Sequence, residues 1–315
     1  MPNAGDIRRQ VEAESSRRGR LAVPAFAGGF LYLLSAIIIS TTLRGAPTVG
    51  LIQGLTPSLE GDPNPAVSPR TPEVKFISHH AFALIAGGAL AAIAVGILTL
   101  VLLLLADATI FRRPESFSPM RPLILGGGIG VAVVTFAHQL VSALETHKFA
   151  VGSDHSNTAV EHALTTGTAT ALVDYLALIA GLVLAVGMIG LMINALRVGL
   201  LVRWMAFLGM FTGILIVLPI GGAELQVVPA FWLVMMGVLY AGKWPNGEPP
   251  AWAAGEARPW PSRAPAQRGR AGEPATAAAG ANGGSGTDPA PAPAPAGAGG
   301  SSRKRRRKRG PGPRR

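Results

Sequence analysis

Long apolar stretches separated by short polar segments dominate the first 241 residues of this 315-residue chain. A helix needs roughly 20 mostly apolar residues to cross the hydrocarbon core of a bilayer. Six stretches reach or approach that length, at 21–43, 81–106, 123–144, 169–196, 204–220 and 226–241. The pattern therefore predicts an all-α fold, a polytopic six-helix transmembrane bundle in which residues 21–241 form the membrane domain.

The last two stretches are the shortest, and residues 219–224 join them. A tight hairpin of two crossing helices and a re-entrant pair both fit this length, which is at the lower edge of what spans a bilayer. Basic residues flank the pair, with Arg203 before the first stretch and Lys243 after the second. These flanks favour two crossings, because basic residues collect at the cytoplasmic ends of helices.

The distribution of Arg and Lys predicts the orientation of the bundle. One set of flanking segments carries ten basic residues before the C-terminal tail is added: Arg8, Arg9, Arg17, Arg18, Arg20, Arg112, Arg113, Arg121, Arg197 and Arg203. The opposite set carries four, namely Arg44, Arg70, Lys75 and Lys148. Both termini are therefore expected in the cytoplasm, with residues 1–20 as a basic N-terminal segment. The first stretch is too long for the core of a signal peptide and reads as a retained anchor.

The composition supports a membrane protein and excludes several kinds of site. Only 14% of the residues are charged, against about 25% in soluble domains, and the mean hydropathy is +0.38. The chain has no Cys, which excludes disulfides and thiolate metal sites. Of the net charge of +11, residues 242–315 carry +10, so the basic pI describes the tail and not the membrane domain.

Two polar stripes interrupt the apolar pattern. Thr135, His138, Ser142 and Glu145 share one helical face of the third stretch. The fourth helix is expected to begin near Glu161 and to offer His162, Thr166, Thr170 and Asp174 at steps of four. Because connected antiparallel helices usually pack together, the two stripes are expected to line one outward-opening cleft. Ionisable groups within a membrane span are functional candidates by default.

The histidines suggest what such a cleft would bind. All six map to the outer side or outer third of the predicted bundle: His79, His80, His138, His147, His155 and His162. With nearby carboxylates they could hold a divalent metal, for which the candidate ligands are His138, Glu145, His162 and Asp174. A proton path or pH sensor is also open, since histidine titrates near neutral pH. The alternative is that these side chains make only structural polar contacts, because their spacing matches no established metal signature.

Small residues recur at four-residue spacing in three of the stretches. They are Gly88, Ala92 and Gly96 in the second, Gly126 and Gly130 in the third, and Gly209 and Gly213 in the fifth. Such faces let helix backbones approach closely, within one chain or between copies in a homo-oligomer. An Ala- and Gly-rich sequence also produces this spacing by chance.

The chain changes character after Gly242. Residues 242–261 form a Trp/Pro-rich juxtamembrane segment in which Trp244, Trp252 and Trp260 recur every eight residues. Anchoring at the membrane interface is the favoured interpretation of these three Trp residues, and docking of a partner is the other. Residues 262–315 are expected to be disordered, because their Ala/Pro/Gly-rich composition cannot bury enough apolar surface to fold.

The tail ends in a basic cluster of Arg303, Lys304, Arg305, Arg306, Arg307, Lys308 and Arg309. Anionic lipid of the adjacent leaflet is the nearest partner for such a cluster. Nucleic acid is the second, since contacts to phosphate need no fold. A cluster that only fixes orientation, without a partner, is the third interpretation.

The last stretch and its exit resemble uncharacterised multi-pass membrane proteins of actinobacteria. The resemblance covers about 35 residues and rests on Ala230–Val234, Gly242–Gly247, Pro249–Trp252 and the pair Trp260–Pro261. It implies a bacterial cytoplasmic (inner) membrane protein, which the absence of N-x-S/T sequons also fits. The resemblance carries no known activity, so it transfers no catalytic residues.

Two functional classes follow from the sequence. The first is a non-enzymatic membrane component whose basic tail engages anionic lipid or nucleic acid. The second is a transporter, a sensor or a metal- or proton-binding protein that uses the outward-facing cleft. Phosphate-cradling, nucleophile-elbow and Rossmann patterns are missing from the sequence, so no catalytic residue is identified and an enzyme is not the expected class.

Overall fold

The computed structural model describes residues 4–62, 64–115, 119–218, 226–245 and 247–260. Within these ranges the chain is mainly helical and contains no β-strand. The α-helices are Ala4–Arg44 (α1), Leu51–Leu59 (α2), Thr71–His79 (α3), Ala81–Arg112 (α4), Met120–Val151 (α5), Asn157–Glu161 (α6), Thr168–Val198 (α7), Arg203–Val217 (α8), Val227–Tyr240 (α9) and Pro250–Ala254 (α10). A π-helical turn, His162–Thr166, lies between α6 and α7. The predicted all-α fold is confirmed.

Four helical segments are long and apolar enough to cross a membrane: Gly5–Arg44, Ala81–Arg112, Met120–Val151 and Asn157–Val198. They correspond to the first four predicted stretches. Helices α8 and α9 are apolar but shorter, with 15 and 14 residues. The fold therefore contains four long helices with the length and apolarity of membrane spans, and a short apolar helical pair.

Helix α1 begins much earlier than the apolar pattern indicates. The basic segment 1–20 was expected to precede the first span, but residues 4–20 continue the same helix without a break. This segment contains no Pro or β-branched run that would disfavour a helix, and Arg and Glu are good helix formers. The helix therefore carries the N-terminal charges along the end of the bundle instead of leaving them in a separate coil.

The long helices pack in chain order, with α4 between α1 and α5, and α5 between α4 and α7. The short helix α9 packs on α1, and α8 packs on α7. Polar side chains bridge neighbours through backbone carbonyls, because few other acceptors exist inside an apolar bundle. Ser35 Oγ donates to Gly87 O at 2.8 Å, and Tyr240 Oη donates to Val101 O at 2.8 Å.

The small-residue faces are used mainly within the chain. A Cβ on Gly130 would lie 2.9 Å from Ala180 Cβ on α7, and one on Gly209 would lie 2.9 Å from the indole nitrogen of Trp232. By contrast, a Cβ on Gly96 or Gly126 would meet nothing within 4 Å. Close packing between α5 and α7 thus accounts for Gly130, and association of copies through Gly96 or Gly126 stays a prediction.

The bundle has a basic end and a loop end. The basic end is formed by the first turns of α1 and α5, the last turns of α4 and α7, and the residues Arg203 and Lys243. The loop end carries α2, α3, α6 and the π-helical turn, where Val74, Phe149, Val160 and Ala163 form a small apolar cluster. The main core is separate and lies between the long helices and the α8–α9 pair.

Candidate functional site

One residue from each polar stripe meets the other where α5 packs against α7. His138 Nε2 lies 3.6 Å from Asp174 Oδ1, so the expectation that these two side chains approach each other is confirmed. Both side chains are half exposed, at 48% for His138 and 56% for Asp174. An ionisable pair is costly within an apolar helix pair unless water or another polar group reaches it. This pair is the first candidate site.

Glu145 and His162 lie at a different place, in an open cleft of about 790 Å³ at the loop end. The cleft is lined by the end of α5, the loop before α6, α6 itself, the π-helical turn and the beginning of α7. Glu145 accepts a hydrogen bond from Lys148 Nζ at 2.8 Å, so its charge is already balanced within its own helix. The cleft therefore presents a mixed set of acidic and basic groups rather than a purely acidic one.

Asp154 is a fixed negative charge at this cleft. The backbone amide of Ser156 donates to Asp154 Oδ1 at 3.0 Å. This bond, followed by one from the Ser156 side chain and by the nearby His155, holds the pKa of Asp154 below its usual value. A negatively charged carboxylate therefore lines this cleft.

The predicted stripe on the fourth helix is divided in two. The sequence suggested one helix from Glu161 to Asp174, but a π-helical turn covers 162–166 and Gly167 takes an extended conformation before α7 begins at Thr168. The steps of four from His162 to Asp174 therefore do not lie on one continuous face. Glycine at 167 permits the break because it carries no Cβ, which would lie 2.7 Å from His162 O.

The four proposed metal ligands do not form one cluster. Across the described residues, no group of three or more His, Cys, Asp or Glu side chains is placed to hold a metal ion. His138 and Asp174 form one pair, while Glu145 and His162 line the cleft at the loop end. A divalent metal site built from these four residues stays a prediction.

Two of the other histidines have structural contacts. His80 stacks on Phe76, with ring centroids 4.0 Å apart, and His155 stacks on Phe149 at 5.0 Å. The structural interpretation of these two side chains is thus well supported. His138 is different because its contact is with a carboxylate on another helix.

The basic end contains an ionic cluster that sequence reasoning missed. Arg112 donates through two nitrogens to Glu14, at 2.7 and 3.0 Å, and both side chains are buried. The same guanidinium donates to Ala251 O at 3.0 Å. Arg18 forms an ion pair with Glu248. No local signal could have shown these contacts, because the partners are 98 to 230 residues apart in the chain.

The predicted interfacial Trp residues occupy different environments, and the expectation for Trp252 requires correction. The Trp252 side chain is buried in the protein, where its indole nitrogen donates to Leu200 O at 3.0 Å and Arg18 lies 4.5 Å over its ring. It is unavailable to lipid headgroups because α10 folds back against the bundle. Trp244 is half-buried and stacks on Trp204, with centroids 5.7 Å apart. The indole nitrogen of Trp260 is buried without a hydrogen-bond partner among the described residues.

Residues 248–259 thus form a strap across the basic end. Glu248 reaches α1, Ala251 reaches α4, and Gly255 packs against Ile7 and Val11 of α1. The amide of Arg258 donates to Val198 O at the end of α7, at 3.0 Å. The juxtamembrane segment is therefore part of the fold. The basic cluster 303–309, with the rest of 262–315, lies outside the described residues.

Comparisons with protein-family models, with curated proteins and with solved structures find no match to this chain.

Proposed function

We propose that the chain is a multi-pass protein of the bacterial cytoplasmic membrane with both termini in the cytoplasm. Four long apolar helices and the excess of basic residues at one end of the bundle support this placement. The sequence predicts six crossings. Four crossings by α1, α4, α5 and α7 already put both termini on one side. Helices α8 and α9 leave that assignment unchanged, whether they cross the bilayer or turn back.

The function that the geometry supports best is binding of a small cation, a metal ion or a proton, from the loop end. The observation that carries it is the half-exposed pair of His138 and Asp174, 3.6 Å apart on two packed helices. A carboxylate attracts a cation, and a histidine beside it is both a metal ligand and a proton acceptor. A protein of this kind would be a transporter or a sensor.

Cation binding by purified protein tests this proposal. Titration calorimetry with Na⁺ and with Zn²⁺, combined with a measurement of released protons, should detect binding to the wild type. Asp174→Asn should lower the affinity at least tenfold, because it removes the only formal negative charge of the pair. Glu161→Gln is the matched control, since it removes one exposed carboxylate from α6 and should bind as the wild type does. Equal affinities for Asp174→Asn and the wild type would contradict the proposal.

A second function is favoured by a separate observation, the charge of the tail. Residues 263–315 contain 12 basic residues and two acidic ones. A basic residue close to an anionic leaflet contributes about 1 kcal/mol, so seven consecutive ones attract the tail strongly. In this proposal the chain is a non-enzymatic membrane component whose tail engages anionic lipid. The strap at 248–259, which precedes the tail in the chain, packs at the basic end of the bundle.

Truncation after Ser262 tests the tail separately from the bundle. The truncated protein should insert and fold, because the helices make their backbone hydrogen bonds internally. The isolated tail should bind vesicles that contain phosphatidylglycerol, and release them as salt rises from about 50 to about 500 mM. If the tail binds no vesicles but binds a nucleic acid tightly, its partner is nucleic acid and not lipid. Salt-insensitive binding would exclude an electrostatic role.

A further inference from the structure

The α8–α9 pair is too short to match its neighbours. At 1.5 Å per residue, helices of 15 and 14 residues are about 22 and 21 Å long, below the roughly 30 Å of a hydrocarbon core. Helices α4 and α5 have 32 residues each, about 48 Å. Length alone leaves open where along the bundle the short pair lies.

Contacts with α1 place α9 in the half of the bundle nearest the basic end. A Cβ on Gly237 would meet Phe26 at 3.0 Å, and one on Gly29 would meet Ala230 O at 2.8 Å. Since the two helices are antiparallel, these two contacts place the first residue of α9, Val227, level with residues 32–36 of α1. That level is at or slightly beyond the middle of the apolar stretch 21–43. Helix α1 continues for about 12–18 Å beyond it, to Arg44.

Contacts with α7 place α8 at the same depth. A Cβ on Gly213 would lie 3.6 Å from Met188 Cβ, and one on Gly181 would lie 3.3 Å from Ile216 O, close to the end of α8. Residue 181 is near the middle of the apolar stretch 169–196. Helix α7 extends about 20 Å further, to Thr168. Both short helices therefore end at the same level, near the middle of the membrane.

The candidate pair lies directly beyond that level. Asp174 is seven residues, close to two turns, from Gly181, and the two share the face of α7 that packs on α8. On α5, His138 is likewise seven residues from Val131, which faces the core. Gly181 and Val131 are buried, whereas His138 and Asp174 are half exposed. Exposure of both helices thus rises where the short pair ends.

A buried polar atom lies on the same side. Thr170 is one turn beyond Asp174 on α7, and its Oγ1 is buried with no hydrogen-bond partner among the described residues. A buried hydroxyl without a partner is costly, and water or a ligand normally satisfies it. This side of the bundle thus carries a half-exposed carboxylate, a half-exposed imidazole and a buried hydroxyl without a partner among the described residues.

We infer that α8 and α9 form a re-entrant hairpin that enters from the basic end and whose described residues, up to 218 and from 226, end near mid-membrane. The space above it, bounded by α5 and α7, is a water-filled vestibule open to the loop end, and it admits a small hydrated cation to His138 and Asp174. The identity of the ligand rests on the function proposed above. The hairpin and the vestibule do not.

Single-cysteine labelling in intact membranes tests the depth of the hairpin, and the chain has no native Cys to remove. Val227→Cys, at a position 52% exposed in the fold, should resist a 5-kDa maleimide-polyethylene glycol applied from either side. Asp154→Cys should react from the loop side and Lys243→Cys from the basic side. If Val227→Cys disturbs folding, as judged by gel filtration, Leu218→Cys at the end of α8 replaces it. Reaction of either tip variant from the loop side at the rate of Asp154→Cys would show a crossing hairpin and overturn the inference.

A small membrane-impermeant methanethiosulfonate tests the vestibule. His138→Cys should react from the loop side, at least tenfold faster than Leu140→Cys, which is exposed on the opposite, lipid-facing side of α5 at a similar depth. Equal rates, or reaction only from the basic side, would overturn the vestibule. These labelling results do not depend on cation affinity. A wild-type affinity in Asp174→Asn would therefore remove the proposed function and leave the hairpin standing.

Discussion

The buried ion pair between Glu14 and Arg112 should carry a large share of the stability of the basic end. The Arg112 side chain is fully buried and that of Glu14 is 4% exposed. Glu14→Gln would leave the guanidinium charge buried without its counter-charge. Breaking a buried pair on one side costs about 3–5 kcal/mol, whereas an exposed pair contributes only about 0–1 kcal/mol. Two carbonyls still accept from Arg112, so we expect about 3 kcal/mol.

Thermal unfolding of the detergent-solubilised protein measures this effect. A loss of about 3 kcal/mol corresponds to a fall of roughly 6–12 °C in the melting temperature for a domain of this size. Glu73→Gln is the matched control, since Glu73 pairs with Arg70 at the loop end with both side chains partly exposed. We expect it to lower the melting temperature by less than about 4 °C.

A double variant separates the loss of charge balance from the loss of packing. Replacing both Glu14 and Arg112 by Met removes the unpaired charge and keeps apolar volume, and such replacements are often neutral or stabilising. We expect the double variant to melt at a higher temperature than Glu14→Gln alone. The argument would be refuted if Glu14→Gln had the same melting temperature as the Glu73→Gln control. It would also be refuted if the double variant melted at a lower temperature than Glu14→Gln.

Two further predictions concern packing. A Cβ at Gly127 would lie 2.7 Å from Leu184 Cα on α7, so Gly127→Ala should cost about 1–3 kcal/mol. Gly126→Ala, which meets nothing within 4 Å, should be neutral or slightly stabilising; equal melting temperatures for the two variants would contradict the packing of α5 on α7. Trp252→Ala should destabilise the protein by about 3–5 kcal/mol, because the buried ring holds the strap. Trp244→Ala, at a half-buried position, should destabilise the protein clearly less. A lower melting temperature for Trp244→Ala than for Trp252→Ala would refute the packing of the strap on the bundle.

The sequence alone indicated a membrane protein, the four long apolar helices and the side to which the charges are biased. These properties depend on the length of apolar stretches and on the position of Arg and Lys, which are local features of the chain. The approach of His138 to Asp174 was also predictable. Helical periodicity places each residue on a face, and neighbouring antiparallel helices bring such faces together.

Only the tertiary structure decided how the C-terminal segment packs and how deep the short helices reach. Trp252 looked like an interface anchor because it recurs with Trp244 and Trp260 every eight residues, directly after the last apolar stretch. Its burial instead depends on Arg18 and on Leu200, which are distant in the chain. The same holds for Glu14, whose partner Arg112 is 98 residues away. Contacts across such separations leave no periodic signal in the sequence.

The length of α8 and α9 was visible in the sequence, but their depth was not. Arg203 and Lys243 favoured a crossing pair in the sequence, but a re-entrant pair also keeps those residues at the basic end. Their depth follows from the contacts that Gly29 on α1 and Gly181 on α7 make with the short helices. Register between packed helices is set by the close fit of side chains and glycines on both surfaces, and a single helix does not encode its partner's surface.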